Sequence, residues 1–144
     1  MKNYKCYFDG ACEPKNPGGK IGAGIFITDG VNDFADNIFV DAGPKNTNNI
    51  AEYMAFIRVL ELMKNKTDST IEIYGDSMLV INQMNGEWQI KNGAYKEYAL
   101  KAMPLLNNLR KKNGVVIKWI PREQNEKADY QSIKAIGFER RKYK

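Results

Sequence analysis

The chain of 144 residues is 43% hydrophobic and 27% charged with both signs mixed, which is typical of one globular domain with a core and excludes a disordered chain. No apolar run resembles a signal peptide or a membrane span, so we expect a cytoplasmic protein with no membrane partner, and the net charge of +5 is compatible with a polyanionic ligand. The chain has no histidine and only two cysteines, which excludes histidine-based zinc sites and Ser-His or Cys-His catalysis and leaves carboxylates with hard metal ions as the natural catalysts.

Alternating apolar residues predict three strands in the first part of the chain, at residues 4–9, 22–28 and 34–40. The stretch 10–21 combines glycines with asparagine and proline, and it is predicted as a loop. Asp29 and Gly30 are a typical hairpin signal between the second and third strands. These three strands are therefore expected to form a meander.

The rest of the chain alternates helical and strand patterns. Helices are predicted at residues 50–64, 77–84, 94–112 and 124–136, and strands at 70–74 and 115–119. Pro104 lies inside the third helical pattern, so we expect a kink or two abutting helices there, whereas Gly137 is expected to end the last helix. We therefore predict a single α/β domain with a mixed five-stranded sheet over residues 1–137, followed by a short basic tail at 138–144.

Four carboxylates occupy unusual places in this pattern. Asp9 ends the first predicted strand, Glu52 lies in the first turn of the long helix, Asp76 follows the fourth strand, and Asp129 lies within the last helix. Each also has an ordinary explanation. In the same order, these are a solvated strand end, a capping box with Asn49, a helix N-cap and a surface salt bridge.

The neighbours of Glu52 and Asp129 favour a shared site over these separate explanations. Glu52 lies at helical spacing from core-type residues, which are Phe56, Val59 and Met63. Asp129 has no basic residue three or four positions away, and its polar-to-apolar stripe contains Asn125, Ser132 and Ile136. If the acids converge on one sheet edge, their like charges require cations among them, and ligands that are all oxygen select Mg²⁺ or Mn²⁺.

Each acid lies among several characteristic neighbours, in the segments "YFDGACEPKNPGG", "NTNNIAEYMAFIRVLELM", "IYGDSMLVINQMNGEW" and "WIPREQNEKADYQS". In this order the segments resemble the four motifs of type 1 ribonuclease H, and the resemblance covers nearly the whole chain. It implies the ribonuclease H-like fold, with three antiparallel plus two parallel strands and helices on both faces of the sheet. It also implies endonucleolytic hydrolysis of the RNA strand of RNA–DNA hybrids, with 5′-phosphate and 3′-hydroxyl products.

The same resemblance implies a role for particular residues. The catalytic and metal-binding residues would be Asp9, Glu52, Asp76 and Asp129, which in the family hold two Mg²⁺ ions that Mn²⁺ could replace. The substrate-binding residues would be Gly10, Cys12, Asn16, Thr47, Asn48, Asn49, Ser77, Trp88 and Asn125. Gly10, Gly18 and Gly19 would let the backbone bend and approach the hybrid. No small-molecule organic cofactor is expected, and we expect a monomer.

The sequence departs from the family pattern at three places. The loop before the last helix, "PREQNE", lacks the histidine that many members have, and Arg122, Glu123 and Asn125 are alternatives for its role. Met78 stands where some members have a glutamine contact. The segment 85–93 is too short for the lysine-rich protruding helix of some bacterial members. Other phosphate contacts could come from Lys91, Lys96, Arg140, Arg141 and Lys142.

Three other interpretations remain open. A different metal-dependent nuclease of this fold, such as a 3′–5′ exonuclease, would carry an Asp-x-Glu pair in the first motif, whereas Ala11 lies two residues after Asp9. A non-catalytic module that binds RNA–DNA hybrids would have lost at least one acid, and none is lost. A ribonuclease H domain detached from a reverse transcriptase or a larger replication protein is consistent with the same residues.

Overall fold

A computed structural model describes residues 2–137, so the predicted tail at 138–144, with Arg140, Arg141 and Lys142, lies outside the described residues. The described part contains five strands: β1 (Asn3–Glu13), β2 (Lys20–Thr28), β3 (Asp33–Val40), β4 (Thr70–Gly75) and β5 (Gly114–Trp119). It also contains four α-helices: α1 (Asn48–Met63), α2 (Met78–Met84), α3 (Lys96–Lys112) and α4 (Glu126–Ile136). A 3₁₀ turn at Arg122–Gln124 precedes α4.

The five strands form one sheet in the order β3-β2-β1-β4-β5. The strand β2 is antiparallel to both β1 and β3, whereas β4 is parallel to both β1 and β5. Residues 14–19 and 29–32 join the antiparallel strands, α1 lies between β3 and β4, and α2 and α3 lie between the parallel strands β4 and β5. The predicted mixed sheet, with three antiparallel and two parallel strands, is confirmed.

Helices cover both faces of the sheet. The main core lies between one face and helices α1, α2 and α3, and the Phe8 ring of β1 meets the Phe56 ring of α1 edge to face, with centroids 5.4 Å apart. A smaller cluster of Ala11, Ile133 and Ile136 joins α4 to the opposite face. Side chains alternate between the two faces along a strand, so Asp9 points away from the main core. Within residues 2–137, no helix combines the length and apolar character needed to cross a membrane.

The strand β1 is longer than predicted. The segment 10–13 was predicted to open a loop, but it continues the strand and pairs with β2, from Gly10 opposite Ala23 to Glu13 opposite Lys20. The prediction was wrong because the hydrogen-bonded ladder with β2 keeps the segment extended despite its glycine. Strand pairing of this kind depends on a partner far along the chain, not on local residue preference.

The caps of two helices remove two of the ordinary explanations for the acids. The side chain of Thr47 accepts a hydrogen bond from a backbone N–H in the first turn of α1, so the alternative of a capping box at Asn49 is excluded. Ser77 caps α2 in the same way, so Asp76 is not the N-cap. Both exclusions matter for the site, because neither Glu52 nor Asp76 is explained by helix capping.

Helix α3 continues through Pro104 as one helix, so the alternative of two abutting helices is wrong. Ala102, Leu106 and Leu109 are buried on its inner face, and this packing outweighs the hydrogen bond that the proline removes. Gly137 adopts a φ of 84° and ends α4, as predicted.

Candidate active site

The predicted acids converge where β4 ends beside β1. Gly75, the last residue of β4, pairs with Phe8, while β1 continues to Glu13 beside β2 alone. Asp9 is therefore the first residue of β1 beyond the end of β4, and it lies within its strand instead of ending it as predicted. The shorter neighbour leaves a notch in the sheet, bordered by Asp9 on one side and by Asp76, which follows β4, on the other.

Gly10 brings α1 against β1 at this notch. A Cβ atom at Gly10 would overlap the backbone of Ala51 and Glu52, so α1 can lie this close only because Gly10 has no side chain. The close approach places the Glu52 carboxylate near Asp9. The prediction that Gly10 bends the backbone is wrong, since the strand is extended there and the glycine instead allows helix packing.

Two glycines of β2 do the same for α4 on the opposite face. A Cβ atom at Gly24 would overlap the carbonyl of Ala128, and one at Gly22 would overlap the backbone one turn further along α4. The helix therefore lies directly on the β2 backbone. Because Gly24 pairs with Asp9 across the sheet, this packing brings Asp129, the neighbour of Ala128, next to Asp9.

All four acids meet at the notch. Asp9, Glu52 and Asp76 each offer one carboxylate oxygen, and these three atoms lie within 4.8 Å of one another. Asp129 lies within hydrogen-bonding range of Asp9, and Arg122 Nη2 is 3.9 Å from Asp129 Oδ1. Helical spacing within α4 gives no signal for this arginine, because it reaches Asp129 from the preceding 3₁₀ turn.

Burial and mutual repulsion raise the pKa of three of these acids. Burial raises the pKa of Asp9 well above its ordinary value, and the charges of Asp76 and Asp129 raise it further. The pKa of Glu52 is raised by burial and then by Asp9 and Asp76. Burial also raises the pKa of Asp76, against a hydrogen bond from Asn125 that lowers it. A cation among these groups would relieve both the burial of charge and the repulsion.

The donor set fits a hard divalent cation. Oε1 of Glu52 is buried and has no hydrogen-bond partner among residues 2–137, which is unfavourable unless a ligand satisfies it. All of the converging groups are carboxylate oxygens, the ligands that Mg²⁺ and Mn²⁺ prefer. Asp9, Glu52 and Asp76 could hold one ion, and Asp129 adds a fourth carboxylate beside Asp9.

Two side chains fix the strand ends that form the notch. Asn125 is 1% exposed, and its Nδ2 donates to the carbonyl of Phe8 at 2.9 Å and to Oδ2 of Asp76 at 3.5 Å. Trp119, at the end of β5, donates its indole N–H to the main-chain oxygen of Asp76 at 3.1 Å. Asn125 thus lies beneath the acids and not on the open surface where a substrate contact is expected. Trp119 was missed, because a bond between two separate strand ends gives no local signal.

The acids lie in an open cleft of about 460 Å³. Asn16 and Asn48, on its wall, are joined by two hydrogen bonds, from Asn16 Nδ2 to Asn48 Oδ1 at 2.7 Å and from Asn48 N to Asn16 Oδ1 at 3.1 Å. The buried thiol of Cys12 donates to the carbonyl of Lys15 at 3.3 Å. Thr47 lies outside the wall, where its hydroxyl caps α1. The predicted substrate-binding residues that line this cleft are Gly10, Cys12, Asn16, Asn48, Asn49 and Ser77.

Trp88 lies in a second cleft of about 510 Å³, next to the first. Leu79 lines both clefts, so the open surface continues from the acids to Trp88. The Trp88 side chain is 48% exposed, and Lys91 also lines this second cleft. Lys96 lies outside it and donates to Oδ1 of Asn92 at 3.0 Å. Met78, which stands where some family members have a glutamine contact, is exposed at the edge of the first cleft.

Comparisons with known proteins agree with this geometry. The sequence profile of a family described as "Reverse transcriptase-like" matches residues 7–135, a span that contains all four acids and both clefts. The LC11-RNase H1 structure, solved in complex with an RNA/DNA hybrid, superposes with a TM-score of 0.80 at 32% identity and covers 93% of this chain and 96% of that one. RNase H1 from the halophilic archaeon Halobacterium salinarum NRC-1 gives a TM-score of 0.75 at 30% identity, covering 94% and 98%. The fold and site therefore define a ribonuclease H-like domain with a carboxylate centre.

Relatives in sequence narrow the class to one family. "Ribonuclease H" from Francisella philomiragia subsp. philomiragia is 37% identical over 147 residues, covering 94% of this chain and 91% of that protein. "Ribonuclease HI" from Halobacterium salinarum is 34% identical over 134 residues, covering 90% of this chain and 62% of that protein. The chain belongs to the type 1 ribonuclease H family of enzymes.

Proposed function

We propose that this protein hydrolyses the RNA strand of RNA–DNA hybrids endonucleolytically and leaves 5′-phosphate and 3′-hydroxyl ends. The observation that carries the proposal is the convergence of four carboxylates at the notch, with Glu52 Oε1 buried and unpartnered among the described residues. Without cations this cluster would repel a phosphodiester, and with them it attracts one. Membership of the ribonuclease H family supports the same chemistry.

In this proposal Asp9, Glu52, Asp76 and Asp129 hold two divalent cations, Mg²⁺ or Mn²⁺. Bound there, such ions supply Lewis-acid catalysis and an activated water for displacement at phosphorus. The chain itself keeps the acids in place, because Gly10 admits α1 and Asn125 ties Asp76 to β1. No nucleophilic side chain is required, which is consistent with a chain that has no histidine.

The walls of the two clefts support a hybrid as the substrate. Asn16, Asn48 and Asn49 offer side-chain amides beside the acids, and such groups can hydrogen-bond the 2′-hydroxyls that distinguish RNA from DNA. Trp88 and Lys91 line the adjoining cleft, where an indole can pack on sugars and an ammonium can meet phosphates of the second strand. LC11-RNase H1, a structural relative, has been solved with an RNA/DNA hybrid bound.

Among the candidates for the role of the missing histidine, position favours Arg122. It lines the first cleft and contacts Asp129, whereas Asn125 lies beneath the acids and Glu123 lies outside the cleft wall. A guanidinium stays protonated at all working pH values and cannot act as a general base. We therefore assign Arg122 a phosphate contact and not a proton transfer.

We propose that the protein is one domain that acts as a monomer. Every residue in the two clefts comes from one chain between residues 9 and 129, so no second copy is needed to complete the site. The division into a domain at 1–137 and a basic tail at 138–144, and a cytoplasmic location, stay predictions from the sequence.

Cleavage of a labelled RNA–DNA hybrid with Mg²⁺ or Mn²⁺, beside matched RNA–RNA and DNA–DNA duplexes, tests the proposal. We expect cutting of the hybrid alone, loss of cutting when a chelator removes the metal, and loss of cutting in Asp76→Asn. Asp68→Asn is the matched control, because Asp68 lies outside both clefts and its φ of 52° is one that asparagine tolerates. A single ribonucleotide within DNA is expected to resist cleavage.

The same assay separates the alternatives. Tight binding of the hybrid by wild type without any cutting would favour a non-catalytic binding module. Equal cutting of the DNA–DNA duplex would indicate a different metal-dependent nuclease with this fold.

A further inference from the structure

One buried amide holds the segment that carries Trp88. Residues 85–95 connect α2 to α3 without forming a helix or strand, and Trp88 lies in their first part, the segment 85–91. Gln83, at the end of α2, is 3% exposed, and its Nε2 donates to the carbonyl of Gln89 at 3.0 Å and to Oη of Tyr95 at 3.1 Å. Its Oε1 accepts a hydrogen bond from the hydroxyl of Tyr53. A single side chain thus joins α1, α2, the segment 85–91 and Tyr95, the residue that precedes α3.

Two tyrosines complete this network. Oη of Tyr95 also accepts a hydrogen bond from the backbone N–H of Lys91 at 3.2 Å, so the segment is held at both Gln89 and Lys91. The rings of Tyr53 and Tyr95 stack with centroids 6.0 Å apart and an angle of 4° between their planes.

The network connects the helix that carries Glu52 to the segment that carries Trp88. Tyr53 directly follows Glu52 on α1, so its hydroxyl is anchored to the helix that supplies one of the acids. At the other end, Trp88 lies within the segment that Gln83 and Tyr95 hold, and its backbone N–H bonds to the carbonyl of Asn82 at 3.1 Å. Trp88 is thus held on one side by its own backbone bond to α2 and on the other by the Gln83 amide, which binds the next residue in the chain.

We propose that Gln83 is a positioning residue for the substrate. Its amide fixes Trp88 and Lys91 at a set distance from the carboxylates, so that one duplex meets both clefts at once. This inference rests on the proposed hybrid substrate. Because Gln83 lines the second cleft and not the first, losing its amide should weaken substrate binding and leave the chemical step unchanged.

Steady-state cleavage of the hybrid by Gln83→Met tests the proposal. Methionine has nearly the same volume but lacks the donors and the acceptor of the amide. We expect KM to rise about three- to tenfold, which corresponds to the loss of one or two net hydrogen bonds. We expect kcat to stay within about twofold of the wild-type value. Tyr95→Phe is a milder variant that keeps the ring stacking but removes the hydroxyl, and it should raise KM in the same direction.

A second set of variants separates positioning from general destabilisation. If Gln83 acts through Trp88, Gln83→Met should raise KM no further in a Trp88→Ala background. Asn113→Ala is the structural control, because its half-buried amide bonds to the carbonyls of Lys66 at 2.8 Å and Leu109 at 3.2 Å and lies outside the lining of both clefts. It should lower Tm and leave KM unchanged.

An unchanged KM in both Gln83→Met and Tyr95→Phe would overturn the proposal. It would also be overturned if Gln83→Met raised KM by the same factor in the wild-type and the Trp88→Ala backgrounds. A wild-type protein that fails to cut hybrids would overturn the proposed function instead. Fluorescence anisotropy with a labelled hybrid would then still test Gln83, since the dissociation constant should rise by the same factor as KM.

Discussion

The notch and the second cleft lie side by side, but they are held differently. Hydrogen bonds contribute to both, whereas helix backbones pack directly on strands at the notch. At the notch, the acids stand on helices and strands whose backbones touch at Gly10 and Gly24. At the second cleft, Trp88 stands on an irregular segment held by the side-chain amide of Gln83. Backbone contact without side chains leaves little room for adjustment, whereas hydrogen bonds worth about 1 kcal/mol each can be changed one at a time. The positions of the acids are therefore fixed rigidly by backbone packing, whereas the position of Trp88 can be changed by single side-chain substitutions.

The largest loss of activity is expected from Asp9→Asn, which keeps the shape of the notch but removes one charge of the proposed metal site. Cleavage of the hybrid should fall by about 10³-fold or more, because the charge that organises the reacting phosphate is lost. Steady-state kinetics with Mg²⁺ measure this, with Asp68→Asn as the unaffected control. A loss confined to KM would show that Asp9 serves binding and not chemistry.

The same variant should stabilise the metal-free protein. The pKa of Asp9 is higher in the folded chain than in the unfolded chain, so its charge destabilises the fold at pH values above the folded pKa. The gain in Tm from Asp9→Asn should therefore be full at high pH and should vanish as pH falls towards the unfolded pKa of about 3.9. Thermal unfolding in chelator across this pH range measures it, and a gain that persists unchanged at pH 4 would contradict it.

A smaller but still severe loss of cleavage activity is expected from Gly24→Val, which pushes α4 away from β2. The new side chain would overlap the backbone of Ala128, so Tm should fall and cleavage should drop by about 100-fold as Asp129 shifts. Gly114→Ala is the matched control, because a Cβ atom there meets no atom within 4 Å. Activity at wild-type level in Gly24→Val would show that the glycine contact does not place Asp129.

The smallest effects should separate the two regions most clearly. Trp88→Ala should raise KM by about tenfold with little change in kcat, since it removes contact area outside the notch. Asn125→Ala should instead lower kcat by about tenfold with little change in KM, since it releases Asp76 and the Phe8 carbonyl. Steady-state kinetics of both variants on one hybrid test this split, and the same pattern in both variants would remove the distinction between the regions.

The sequence was most informative where a local pattern carried the signal. The stripe that joins Glu52 to buried residues of α1 predicted an inward-facing acid, and the order of strands and helices predicted the mixed sheet. The place of Asp76 after a strand and the absence of a partner at helical spacing from Asp129 pointed to the same edge. These features depend on residues within a few positions of one another.

Contacts between distant parts of the chain could not be predicted in this way. Asn125 donates to the carbonyl of Phe8 across 117 positions of sequence, and Tyr53 reaches Gln83 across 30. The extension of β1 past Gly10 depends on pairing with β2, and the tight approach of α4 depends on the bare backbone at Gly24. Single-residue preferences do not encode which surfaces will meet, so these features emerged only from the folded chain.

Helix α4 supplies the fourth acid and is the last helix that the structure describes. By Trp119 the chain already contains every strand of the sheet and three of the acids. Docking of α4 on the bare backbone of β2 is therefore the folding step that adds Asp129 to the other three acids. Under the proposed function, a local opening that lifts α4 from β2 would remove the fourth acid and stop cleavage while the rest of the sheet stays folded.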